Sequence, residues 1–141
     1  MRKSDSKRDL GQTLVEMALV FPIIILMVMG IFDLGRAVWQ AGTVAEAARE
    51  GARYAATSPA DCTGIVNTAT KAAIGVKLAS SSPIVISEPS TPPAQLGAPV
   101  TVTVRATFSP VTPLIAKFTG SSITITRAST MIIENGNSNH C

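Results

Sequence analysis

The sequence predicts an α+β protein: a long N-terminal transmembrane and projecting helix, then a small antiparallel sheet domain with one further helix. Three observations predict this class: a long apolar run near the N-terminus, an alanine stripe at helical spacing beyond it, and alternating apolar and polar residues in the C-terminal third. We divide the 141 residues into a leader (1–11), a transmembrane helix (12–33), a projecting continuation (34–57) and an exposed α+β domain (58–141).

The apolar run is responsible for the high mean hydropathy of +0.34. It extends from Leu14 to Phe32, and only Glu16, Pro22 and Gly30 within it are not hydrophobic. The remaining chain has the composition of an ordinary water-facing protein. A disordered chain, a multi-span membrane protein and a large enzyme are therefore excluded.

The run has the length of a membrane span, because its helix would rise about 28 Å and a bilayer core is about 30 Å thick. A cleaved signal peptide is the alternative, but its apolar region is usually shorter and ends in a small-x-small site, which is missing before Arg36. Four basic residues precede the run and two follow it closely, so the N-terminus is expected in the cytoplasm. These are Arg2, Lys3, Lys7 and Arg8, then Arg36 and Arg49.

Two residues inside the run need a physical explanation. A carboxylate at Glu16 must lie at the interface, be protonated or find a cationic partner, since an unpaired charge in lipid is unfavourable. The explanation without a functional role is a position at headgroup depth in the first helical turn, where the helix dipole favours an acid. Pro22 removes one helical hydrogen bond, which predicts a kink or local opening.

The helical pattern continues from Asp33 to about Thr57, before Ser58 and Pro59 end it. Steps of four and three give an apolar stripe with little bulk, which favours close packing in a bundle of many helices. The alternative is packing on the chain's own C-terminal domain. Spacings of three also predict the ion pairs Asp33–Arg36, Glu46–Arg49 and Glu50–Arg53. The stripe consists of Leu34, Val38, Ala41, Ala45, Ala48, Ala52 and Ala55.

The exposed domain is predicted to contain one helix and three strands. Asp61 or Thr63 would cap a helix over Gly64–Leu78. Three segments predict a small antiparallel sheet laid against the helices. They are a short apolar run at Ile84–Ile86 and two segments that alternate apolar and polar residues, Val100–Phe108 and Ser122–Glu134.

The cysteines and the single histidine show no catalytic or metal-binding pattern. Cys62 and Cys141 both follow the span, so a disulfide between them is permitted outside the cytoplasm, and intermolecular pairing or free thiols stay open. His140 beside Cys141 makes a poor metal site. We expect no enzymatic activity, cofactor, metal, nucleic acid or small-molecule substrate.

Three segments resemble the TadE family of pilin-like proteins: Gly11–Glu16, Gly30–Arg36 and Ala47–Ala55. The resemblance implies a minor pilin-like (pseudopilin) component or assembly factor of a bacterial Tad/Flp pilus. Its implied partners are membrane lipid, a prepilin peptidase, other pilin-like subunits and the Tad inner-membrane assembly proteins.

The resemblance also assigns roles to residues at the start of the run. The peptidase would cut after Gly11, leaving Gln12 as the new N-terminus and Glu16 fifth from it. Glu16 would then pair with the N-terminal amine of a neighbouring subunit. The chain departs from the family pattern at Met17, where many relatives carry an aromatic residue.

The implied location is the bacterial cytoplasmic membrane, crossed once, with the C-terminal domain outside and incorporation into an extracellular pilus. The main alternative is a single-pass anchor whose exposed domain binds an envelope partner without entering a filament. An envelope enzyme is a third alternative, but it would need polar groups that converge from several loops.

Overall fold

A computed structural model describes residues 5–87, 96–112, 115–117 and 120–135. For residues 5–10 it describes the helical backbone and not the side chains. The elements in chain order are α1 (Asp5–Thr57), α2 (Cys62–Ala72), β1 (Ile84–Ser87), β2 (Pro99–Phe108) and β3 (Ile123–Ile132). The predicted α+β class is confirmed. The segment 88–95 and the C-terminal residues 136–141 lie outside the description.

Helix α1 has 53 residues and continues through Pro22 to Thr57. At about 1.5 Å per residue it is roughly 80 Å long. The chain leaves the helix at Ser58, whose N–H still donates to the Tyr54 carbonyl at 2.9 Å. Pro59, which disfavours helical geometry in the residue before it, accounts for the end of the helix there.

Helix α2 is shorter than predicted. Asp61 caps its start by accepting a hydrogen bond from the Gly64 N–H, as expected for one of the two candidate caps. The predicted extension to Leu78 is wrong, because the chain turns at Gly75, which has a φ of +71°. This left-handed conformation is easily adopted by glycine and ends the helical path.

The sheet is antiparallel, as predicted, and its strand order is β1-β2-β3. Strand β2 lies in the centre, and alternate residues on one of its faces are buried against the helices. The core joins this face to the last turns of α1 and to α2. Its main members are Val44, Ala47, Ala48, Ala52, Ala55, Ile65, Ala69, Val100, Val102, Val104 and Ile133.

Candidate functional site

All large apolar side chains of the run in α1 are exposed in the isolated chain. Leu14, Phe21 and Phe32 are 71%, 61% and 70% exposed. The described residues contain one helix that is long and apolar enough to cross a membrane. Such a continuous apolar surface is unfavourable in water, so lipid or other protein must cover it.

The proposed processing residues lie at the start of this exposed surface. Gly11 and Gln12 are both helical and exposed, and apart from the adjacent helical backbone and chain neighbours no described atom lies within 4 Å of the position that a Cβ would take at Gly11. Glu16 is also exposed. Among the side chains that the structure describes, none forms an ion pair with Glu16. Cleavage and amine pairing are therefore still predictions.

The alanine stripe divides into two parts. Leu34 and Val38 are about two-thirds exposed, and Ala41 and Ala45 are half-buried. The last three members, Ala48, Ala52 and Ala55, are buried in the chain's own core. The first part remains exposed in the single chain, whereas the last part packs on the chain's own domain.

Asp33, the residue directly after the apolar run, joins the helix to a distant loop. It is 4% exposed, and its Oδ1 and Oδ2 accept hydrogen bonds from the N–H groups of Val111 (3.0 Å) and Thr112 (2.9 Å). A guanidinium nitrogen of Arg36 lies 3.7 Å from Oδ1, and that guanidinium also lies over the Phe108 ring. We call this arrangement the Asp33 clamp. It fixes the connection between β2 and β3 to the end of the apolar run.

A second polar contact joins the end of α1 to the start of α2. The Tyr54 hydroxyl donates to Asp61 Oδ2 at 2.8 Å, while Asp61 Oδ1 accepts from the Gly64 N–H at 2.9 Å. The hydrogen bond from the Gly64 N–H is the main cause of a lowered pKa at Asp61, and the bond from the Tyr54 hydroxyl adds to it. The same bond to Asp61 raises the pKa of Tyr54. A side chain at Gly64 would collide with both partners.

The ion-pair and cysteine predictions have mixed outcomes. Asp33–Arg36 and Glu46–Arg49 are paired as expected, but Glu50 and Arg53, both described, are not. Cys62 is disulfide-bonded. Its expected partner Cys141 lies outside the described residues, as does His140, so the pairing itself stays a prediction.

Sequence reasoning found neither the Asp33 clamp nor the Tyr54–Asp61 contact. It treated Asp33 only as a partner of Arg36 on the helix surface. One available signal was the position of Asp33, since an acid directly after an apolar run long enough to cross a membrane is favoured by local hydrogen-bond donors. The partners themselves are 78 and 79 residues away in sequence, and no local pattern identifies them.

Comparison with known proteins gives one match. A family model described as TadE-like protein matches residues 11–53, which confirms the resemblance over the N-terminal part of the chain. No curated protein matches, and no solved structure matches. The matched segment contains the apolar run, the Asp33–Arg36 pair and most of the alanine stripe, and it ends one residue before Tyr54.

Proposed function

We propose, from the TadE-like character of residues 11–53, that this chain is a minor pilin-like component or assembly factor of a Tad-type pilus. Its role is structural, with no chemistry of its own. One observation carries the proposal: an apolar helical segment, exposed in the single chain, continues without a break into a helix that the C-terminal domain covers on one side. Such a helix suits both a membrane before assembly and a helical bundle after it.

The proposed location is the cytoplasmic membrane, crossed once with the N-terminus inside. Before assembly the partners are membrane lipid and a prepilin peptidase. During assembly they are other pilin-like subunits and the Tad inner-membrane proteins, which would contact the run and the exposed residues Leu34 and Val38. The excess of basic residues before the run supports this orientation.

Cleavage after Gly11 is the first step of the proposal. The helix includes Gly11, so the first turns must unwind into the peptidase, as helix ends readily do. Gly11→Val places a branched side chain at the cut and should leave the protein about a kilodalton larger on a gel. Gly35→Val is the matched control, because a Cβ at Gly35 also meets no atom within 4 Å, and its size should equal that of the processed wild type.

The N-terminal residue of the protein isolated from cells gives the most direct test. Gln12 is the expected result. Met1 would contradict the pilin route and leave a plain membrane anchor as the function. A start beyond residue 33 would identify the run as a signal peptide.

Pairing of Glu16 with the new N-terminal amine is the second step. Glu16→Gln keeps the size of the side chain but removes the charge, so insertion and cleavage should continue while co-purification with pilus components falls. Glu50→Gln, beyond the run, is the control and should co-purify normally. Normal co-purification of Glu16→Gln would show that this acid serves only the start of the helix.

A further inference from the structure

The connection between β2 and β3 lies beside the apolar run as well as beside the sheet. Described residues of the connection, together with α1, line a groove of about 490 Å³. The described residues that line the groove are Phe21, Pro22, Ile25, Leu26 and Met29 of α1 together with Thr112 and Lys117 of the connection. The groove is thus at the level of the apolar run.

Several backbone donors in the described part of this connection are absent or already satisfied. Pro110 and Pro113 have no N–H, and the N–H groups of Val111 and Thr112 are both bound by Asp33. The Ala116 N–H donates to the Thr112 carbonyl at 3.1 Å. Since unsatisfied backbone groups are what lipid excludes, this segment has local chemistry compatible with a membrane interface.

The described side chains of the connection are amphipathic. Val111 is 62% exposed, and Ile115 is half-buried. Lys117 is exposed and is the one charged residue among the described lining of the groove. A lysine with its stem on apolar surface can extend its ammonium group to a phosphate.

Resting on the membrane placement in the proposed function, we propose that residues 109–112 and 115–117 enter the bilayer interface and that the groove holds a phospholipid. An acyl chain lies against Phe21, Ile25 and Met29, and the headgroup phosphate binds Lys117. Two features select this occupant: the groove is continuous with the lipid-facing surface of the run, and its described lining combines apolar side chains with a single cation. The Asp33 clamp holds the segment at this depth.

Quenching of tryptophan fluorescence by brominated phospholipids tests the depth of the segment. The full chain is placed in vesicles, with the native Trp39, its only tryptophan, as the reporter outside the membrane. In a Trp39→Phe background, Val111→Trp reports on the connection and Met27→Trp on the run. We expect Val111→Trp to be quenched roughly threefold more than Trp39 and Met27→Trp to be quenched most, since bromine lies within the hydrocarbon.

The outcomes separate the two proposals. Strong quenching of Met27→Trp with weak quenching of Val111→Trp would overturn the interface segment and leave the span intact. Weak quenching of both would overturn the span as well. Adding Asp33→Asn should lower the quenching of Val111→Trp and leave Met27→Trp unchanged, whereas Glu46→Gln, which removes an ion-paired acid farther along α1, should change neither.

A second reporter tests the occupant of the groove. Phe21→Trp, in the same Trp39→Phe background, should be quenched about twofold more by brominated phosphatidylglycerol than by brominated phosphatidylcholine, because Lys117 favours an anionic headgroup. Lys117→Gln should abolish this preference, and Met27→Trp, which is not in the groove lining, should show none. Weak quenching of Phe21→Trp by both lipids would overturn the proposal and indicate a second copy of the chain in the groove.

Discussion

The two ends of α1 differ in what covers their apolar side chains. Between Leu14 and Phe32 the large apolar side chains are all at least 39% exposed, whereas between Val44 and Ala56 the helix is covered by β2, β3 and α2. The exposed end has large residues, and the covered end is rich in alanine and includes Gly51. Small residues permit close contact with the chain's own sheet, while large ones provide area for lipid or other subunits.

The largest loss of stability is expected when bulk is added at the covered end. A Cβ at Gly51 would lie 3.0 Å from both Ala69 Cβ and Val102 Cγ1, so Gly51→Val should lower the free energy of unfolding by about 3 kcal/mol. Urea unfolding of the full chain in detergent, followed by Trp39 fluorescence, measures this. Gly42→Val is the control, because nothing lies within 4 Å of a Cβ there. An equal loss in both variants would contradict the difference between the two ends.

A smaller, pH-dependent loss is expected at the Tyr54–Asp61 contact. The lowered pKa of Asp61 means that its contribution to stability is present above its unfolded pKa of about 4 and disappears as the pH falls through the folded value. The raised pKa of Tyr54 means that its contribution is present below about pH 10 and disappears above it.

Tyr54→Phe should therefore remove the decrease in Tm at alkaline pH. It should only weaken the decrease at acidic pH, because the Gly64 N–H still donates to Asp61 in this variant. Thermal unfolding between pH 3 and pH 11 measures both limbs. The alkaline decrease persisting in Tyr54→Phe would assign it to another group.

The smallest effect on stability is expected at the exposed part of the stripe. Leu34→Ser and Val38→Ser should change the free energy of unfolding by less than about 0.5 kcal/mol, yet reduce co-purification with pilus subunits. Ala52→Ser places a hydroxyl in the core and should cost about 1–3 kcal/mol. If Leu34→Ser and Val38→Ser assemble normally, the exposed part of the stripe has no role between subunits.

The parts of the fold that sequence predicted are those with local causes. The alternation of Val100, Val102 and Val104 with threonines identified the buried face of β2, and Pro59 identified the end of α1. The length of α2 was missed because Gly75 lies inside an apolar pattern that favours a helix. Its left-handed turn depends on tertiary packing against Trp39, which the local sequence does not reveal. The Asp33 clamp was missed because its cause is the fold itself, which brings the β2–β3 connection back to the helix.

The Asp33 clamp also has a mechanical consequence. Asp33 and Ala48, near the start of the core, are about 22 Å apart on the same helix at 1.5 Å per residue. A domain attached to the helix at two such points cannot pivot on it, so its position along the helix axis and its rotation about that axis are both fixed. A rotation of the helix, or a shift along its axis, would therefore move the whole domain with it as one rigid body.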